Sequence, residues 1–288
     1  MKKYDAGDFP RRIEIELAAS CNLRCSYCPR RYVDDLHGFM GFSFFKKLID
    51  EVSAYPDTVL VLHRRGESLL HPDFIEICGY VKGKFKEVQM ATNATLLDEP
   101  RSKAIIEAID FISFSLDIPE VYNKTREPAK YDKVEAAILQ FLKMNKGRVK
   151  TQVSMVKTLD TPPRNPEIFK NIWNGKVDRI RIYEEHSRNG KFGSLGAKRS
   201  GRVGCVMPFY EMLVFFDGKV GRCNHDWNSS PLGDANTSPI KEIWNCRSYK
   251  DLRRQHETME LIDEVCKGCD SWYPEIGNQG TGETVQNA

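Results

Sequence analysis

The chain has 288 residues, of which 43 are basic and 40 acidic, for a formal net charge of +3. That balance gives no argument for nucleic acid or an anionic membrane as the main partner. No window approaches the ~18 consecutive apolar residues of a membrane span, and Met1-Lys2-Lys3 leads into Tyr4-Asp5-Ala6-Gly7-Asp8 rather than an apolar signal core, so a cytosolic protein is expected.

β-rich runs at 12–17, 58–63, 87–93, 111–117, 151–156 and 179–184 read as strands. Between them lie segments with helical spacing, such as Phe44, Phe45, Leu48, Ile49 and Val52, and later Val134, Ile138, Phe141 and Leu142. Repeated βα units predict a parallel sheet whose ligands sit at the C-terminal strand ends. Six units are too few to close an eight-stranded barrel. After the sixth strand, residues 187–196 form a glycine-rich basic stretch that reads as a linker or active-site loop. The length suits one large and one small domain, here 1–190 and 191–276, with a polar tail at 277–288 expected to be flexible.

The cysteines carry the chemical signal. Nine in a cytosolic chain argue for metal over disulfides, and seven fall in two groups. Cys21, Cys25 and Cys28, in Ser20-Cys21-Asn22-Leu23-Arg24-Cys25-Ser26-Tyr27-Cys28-Pro29, directly follow the first strand. Three thiolates are one short of the four that close a zinc site or a cubane, so one metal position stays open to a non-protein ligand. The second group is Cys205, Cys223, Cys266 and Cys269. A hairpin with an Asp217-Gly218 turn separates the first two and brings its strand ends together. A four-thiolate zinc site and an iron–sulfur cluster both fit this spacing.

The C-x3-C-x2-C spacing, with Tyr27 before the last Cys, resembles the signature of the radical S-adenosylmethionine (SAM) superfamily, over roughly residues 12–190. The resemblance implies an α/β fold, a partial, open (β/α)6 TIM-like barrel. It also implies a [4Fe–4S] cluster on Cys21, Cys25 and Cys28 whose fourth iron is chelated by SAM. An external one-electron reductant such as flavodoxin or ferredoxin would drive cleavage to a 5′-deoxyadenosyl radical. Arg65-Gly66-Glu67-Ser68 resembles the family's Gly-Gly-Glu-Pro motif, in which the backbone, here at Gly66, and Glu67 receive the SAM amino group. Arg65 and Ser68 depart from it, so a differently shaped loop is expected. Asn93 matches the family's Thr-Asn-Gly turn, and Ser115 and Asp117 its Ser-Leu-Asp strand; these would face the SAM ribose or carboxylate. Arg126 would pair with the carboxylate, and Tyr27 would pack on the adenine edge.

The last third resembles twitch, a truncated SPASM module: a small α+β domain with a hairpin and helix. It implies one auxiliary [4Fe–4S] cluster on Cys205, Cys223, Cys266 and Cys269, because a full SPASM module needs more cysteines than remain. Cys78 is expected to be a structural thiol on an outer helix. Cys246 is either incidental or the hydrogen-atom donor of an epimerase. Glu185 and His186, in a polar run after the sixth strand, are candidates for a catalytic base and substrate contacts, and His63 or Arg64 for a further substrate contact. The expected reaction is dehydrogenation or epimerisation of a carbinol carbon of a sugar, aminosugar or cyclitol. Only about ten residues precede the first strand, which weighs against a peptide-leader domain. The alternative is maturation of a ribosomally made peptide. A non-catalytic zinc protein leaves the Glu67 loop without explanation.

Overall fold

The computed structural model describes residues 4–34, 36–158, 161–185, 201–227, 229–275 and 282–286. All six strands read from the sequence are present: β1 (Arg12–Ile15), β2 (Val59–Val61), β3 (Val88–Thr92), β4 (Phe111–Ser115), β5 (Lys150–Lys157) and β6 (Arg179–Glu184). They pair in parallel in sequence order, each beside its predecessor. Helices α1 (Phe42–Val52), α2 (Phe74–Val81), α3 (Glu99–Ala108), α4 (Pro119–Thr125), α5 (Tyr131–Asn145) and α6 (Asn165–Trp173) make the crossovers. This is the expected partial barrel.

The strands alternate strictly, and the alternation explains the shape. On β1, Ile13, Ile15 and the following Leu17 are fully buried in the main core, while Arg12 and Glu14 line a cavity on the other face. Elsewhere Ile112 and Phe114, Val153 and Met155, and Ile180 and Ile182 face the core; Ser113 and Ser115, Gln152 and Ser154, and Arg179 and Tyr183 face the cavity. Parallel sheets covered on both faces usually read as continuous apolar runs. Here one face packs on helices and the other encloses a polar chamber.

The helices follow their local signals. Asp98 caps α3 by accepting from the Arg101 amide at 2.9 Å, with Pro100 in the first turn. On α5, Val134, Ile138 and Phe141 form one buried stripe, and Phe141 meets Phe114 of β4 edge-on at 5.4 Å. Each such side chain contributes about 1.5–3 kcal/mol by burial. The helix ends where Lys146 and Gly147 turn left-handed.

The C-terminal hairpin continues the barrel sheet instead of forming one of its own. β7 (Glu211–Val214) pairs in parallel with β1, and β8 (Lys219–Gly221) and β9 (Gly233–Asp234) extend that edge antiparallel. The Asp217-Gly218 turn forms as expected, with Gly218 at φ +85°. Helices α7 (Ile240–Trp244), α8 (Arg247–Thr258) and α9 (Glu264–Lys267) complete this part. One expectation is corrected: residues 282–286 of the tail form β10 (Gly282–Gln286), antiparallel to β6, because β6 otherwise leaves its edge unpaired. The stretch 187–196 lies outside the described residues. No described helix is long and apolar enough to cross a membrane.

Candidate active site

Cys21, Cys25 and Cys28 line a cavity of about 500 Å³ at the ends of the strands. The loop carrying them is held by backbone on two sides. The amides of Arg24 and Ser26 donate to Glu127 O at 2.7 Å and Thr125 O at 2.8 Å, just after α4. Asn22 donates to Thr95 at 2.8 Å and accepts from Asn93 at 3.0 Å, which ties the loop to the end of β3. Gly66 closes the base. A Cβ there would lie 2.3 Å from both Ala18 O and Ser20 O, and the next amide, of Glu67, donates to Ser20 O at 2.9 Å. Only glycine permits that approach.

Glu67 is 3% exposed and accepts from the Leu69 amide (3.1 Å), Thr92 Oγ1 (2.7 Å) and the Asn93 amide (2.7 Å). Burial raises its pKa and these three donors oppose the rise. A carboxylate offers about four acceptor sites, so one remains for a donor in the cavity. The two motif departures have physical reasons. Ser68 Oγ donates to Leu62 O at 2.8 Å and fixes the loop after β2. Arg65 grips buried Glu16 with two bonds (Nε 2.7 Å, Nη2 2.6 Å), donates to Trp227 O at 2.7 Å and lies 4.0 Å from the Phe215 ring centre. In the Asn93 turn, Ala94 takes the left-handed conformation, φ +58°, at a cost of roughly 1–2 kcal/mol.

Arg126 is 5% exposed and lines the cavity. Its Nη2 donates to Leu116 O at 2.8 Å and its Nε to Asp117 at 3.2 Å. Asp117 also accepts from Tyr27 (3.2 Å) and Thr125 (2.9 Å). Asp117 is therefore corrected from a ribose or carboxylate contact to a positioning group: its carboxylate points at Arg126 and Tyr27, and it does not line the cavity. Gly66, Asn93, Ser115 and Tyr27 all line it. Burial pushes the Cys25 thiol up to about 11 against the pull of the nearby Arg126 charge, so iron binding here must displace protons.

The second group of cysteines lines a separate, much smaller cavity. Sulfurs of Cys205, Cys223 and Cys269 accept from the amides of Tyr273 (3.3 Å), His225 (3.5 Å) and Ser271 (3.4 Å). Asp263 caps α9 and so places Cys266, and Arg222 joins Asp263 (2.6 Å) to Asp226 (3.1 Å), three residues after Cys223. Arg202 donates to the carbonyls of Cys266 (3.0 Å) and Cys269 (2.8 Å). Among the described residues no three His, Cys, Asp or Glu side chains close round a single ion. Four sulfurs around an enclosed space, with amide hydrogen bonds to sulfur, fit a multi-iron cluster better than zinc at about 2.3 Å from each ligand. The three-sulfur loop, a carboxylate with a spare acceptor site and a buried guanidinium likewise fit a cluster carrying an amino-acid ligand.

Two family models match the chain: the radical SAM superfamily over residues 15–160 and an iron–sulfur cluster-binding domain, SPASM, over residues 205–270. The chain belongs to the radical SAM superfamily. Its cofactors are SAM, a SAM-binding [4Fe–4S] cluster and an auxiliary cluster. It is 27% identical over 176 residues to the tungsten-containing aldehyde ferredoxin oxidoreductase cofactor-modifying protein of Pyrococcus furiosus, covering 58% of this chain and 49% of that one. The chain thus spans about half the length of that relative. Among solved structures it is similar to BtrN in complex with AdoMet and 2-DOIA (TM-score 0.63, 18% identity, 92% of this chain and 98% of that one). It is also similar to Streptococcus suis SuiB bound to precursor peptide SuiA (0.73, 12%, 92% and 72%).

The remaining expectations divide. Cys78 is fully buried on α2, as expected of a structural thiol. Cys246 is corrected as a hydrogen-atom donor: it caps α8, packs on the main core with its thiol 3.9 Å from Leu232 O, and lines neither cavity. Glu185 lines the large cavity, and so do His63 and Arg64; His186 lies outside the described residues. Residues the sequence reading did not single out also line it: Glu14, Gln152, Arg179, Glu211 and Tyr273. The alternation Arg12-Ile13-Glu14-Ile15-Glu16-Leu17 is the signal that marks the first of these.

Proposed function

We propose that this radical SAM enzyme oxidises a carbinol carbon of a polyhydroxylated or aminated small molecule to a carbonyl. The observation that carries the reading is a shared wall: Ser271 and Tyr273 line both the large cavity and the cavity of the four cysteines. A substrate radical in the large cavity then sits one residue layer from an electron acceptor. The large cavity, about 500 Å³, is of the size of ordinary ligand pockets, about 300–1000 Å³. Cys21, Cys25 and Cys28 hold the open cluster, Glu67 accepts from the SAM ammonium, and Arg126, oriented by Asp117, meets the SAM carboxylate. Asn93 and Ser115 face the ribose, and Tyr27 the adenine. Bound SAM, reduced through an external carrier such as flavodoxin or ferredoxin, would supply the radical chemistry that removes the carbinol hydrogen. Oxidation to the carbonyl also needs a base for the hydroxyl proton, for which Glu185 is the described candidate, and an acceptor for the second electron, the chemistry that an auxiliary cluster held by Cys205, Cys223, Cys266 and Cys269 would supply. The products are the carbonyl compound, methionine and 5′-deoxyadenosine.

Epimerisation needs a donor that returns a hydrogen atom. Among the described residues, the cysteines lining the large cavity are the three loop cysteines, which supports dehydrogenation over a thiol-quenched epimerisation. At 18% and 12% identity the BtrN and SuiB likenesses carry the fold and not the substrate. The test uses polyols and aminosugars deuterated at carbon, with reconstituted enzyme in ordinary and heavy water. Deuterium appearing in 5′-deoxyadenosine with a carbonyl product supports the reading. Solvent deuterium at an inverted carbon, or transfer from a peptide only, rejects it.

A further inference from the structure

The cavity face of the strands carries acidic groups that the cofactors do not use. Glu14 of β1 and Glu211 of β7 stand on adjacent parallel strands, each 4% exposed, and both line the large cavity. Arg12 Nε engages one oxygen of Glu211 at 3.0 Å, while its Nη1 donates to Gln89 at 2.8 Å. Glu14 Oε1 lies 3.7 Å from His63 Nε2, beyond hydrogen-bond reach. That leaves Glu14 Oε2 and Glu211 Oε1, both buried and both without a hydrogen-bond partner among the described residues. Water serves such oxygens while the cavity is open, but a ligand that displaces it must bring donors of its own. No third acidic, His or Cys side chain joins them at ion distance among the described residues, so a divalent metal lacks its ligand set.

We propose that Glu14 and Glu211 form a subsite for a protonated primary amine carried by the substrate. The proposal deepens the carbinol-oxidation reading and rests on it for the ligand being a small molecule in this cavity. An ammonium presents three N–H donors and a positive charge, which suits two unpartnered carboxylate oxygens lining one cavity; a hydroxyl brings one donor and no charge. The groups facing Glu14 agree. Burial first and the Glu211 charge second push its carboxyl up to about 7, Glu16 adds to this, and Arg64 and Arg12 oppose it. The same burial, with Arg12 and Arg64, holds His63 well below its usual range, so it stays neutral. Near neutrality the site takes up a proton that an ammonium replaces.

The experiment is isothermal titration of the reconstituted, SAM-loaded enzyme with cyclohexylamine against cyclohexanol, and D-glucosamine against D-glucose and N-acetyl-D-glucosamine. The amine of each set is expected to bind at least about tenfold more tightly. At pH 6.5, titration in two buffers of different ionisation enthalpy should show net proton release on amine binding, with affinity weakening below about pH 7. Glu14→Gln and Glu211→Gln, checked for fold by circular dichroism and for iron content, should each erase most of the amine preference. Equal affinity within every set, no amine binding at millimolar concentration, or a preference that survives both substitutions overturns the subsite. The proton-release measurement needs no variant, so misfolding of either one does not shelter the proposal. Deuterium transfer from carbon separates the two readings: transfer without amine preference removes the subsite alone, and amine preference without transfer removes the oxidation alone.

Discussion

The three-cysteine loop and the four-cysteine cavity use the same ligand atom and differ in what surrounds it. The loop opens onto a chamber of about 500 Å³ lined by polar strand-end side chains, whereas the second group lines a cavity of only about 20 Å³. Around the loop, Glu67, Asn93 and Arg126 are anchored on one side and face the chamber on the other. Around the second group, Arg222, Asp226, Asp263 and Arg202 tie the protein to itself. The contrast teaches that reactivity in this chain is set by coordination left vacant and by the donors and acceptors arranged to fill it, while the closed site is built to hold charge.

Substituting one ligand on each side breaks the comparison most strongly. Cys25→Ser should lower reductive SAM cleavage by more than about 100-fold, beyond the 10–100-fold expected from losing an outer partner. Cys223→Ser should leave SAM cleavage within about threefold and abolish carbonyl formation, because it touches only electron acceptance. Liquid chromatography of 5′-deoxyadenosine and of the carbonyl product reads both, and equal losses in the two variants would erase the distinction.

Arg65 joins the two regions, since it pairs with Glu16 beside the SAM loop and reaches Trp227 O after Cys223. Arg65→Ala leaves Glu16 charged and buried, which costs about 3–5 kcal/mol, and it should loosen both sites, lowering SAM affinity and auxiliary iron retention together. Denaturant unfolding and iron analysis check this; a loss confined to one site means the regions are independent.

Gly66→Ala sharpens the contrast on one side only. Its Cβ meets the carbonyls of Ala18 and Ser20, so the cysteine loop must shift at about 1–3 kcal/mol. SAM affinity should fall with the second cluster's iron unchanged, and loss of iron at both sites would count against it.

The smallest effect concerns pH. Glu14, pushed up from 4.5 to about 7, binds its proton more tightly folded than unfolded. The stability this provides is present below about pH 4.5 and is lost as pH rises through about 7. Glu14→Gln should therefore match the parent protein at pH 5 and exceed it by roughly 1–3 kcal/mol at pH 8. Equal stability differences at both pH values would show that Glu14 titrates normally.

The strand order and both cysteine groups were legible because they rest on local pattern: β-rich runs between amphipathic helices, and thiols at ligand spacing. Glu67 was singled out because its motif follows a strand, and the structure buries it beside the three-cysteine loop's cavity. Asp117 was misassigned because sequence places a residue at a strand end without saying whether it faces the cavity or its neighbours. Cys246 was left open between two readings for a related reason, since only tertiary packing shows its thiol turned to Leu232 O. Glu211 escaped notice because its importance depends on β7 joining β1, a long-range pairing that no window of sequence contains. The β10 edge escaped for the same reason.

The contrast between the two cysteine groups comes down to one open site and one closed site. Iron and sulfide analysis with electron paramagnetic resonance of the reconstituted protein tests it, comparing the parent chain with a Cys21/Cys25/Cys28→Ala triple variant. About eight irons falling to about four are expected, with the SAM-responsive signal lost and the remaining cluster's signal indifferent to SAM. About four irons in the parent protein, or a triple variant whose remaining signal still responds to SAM, would contradict it.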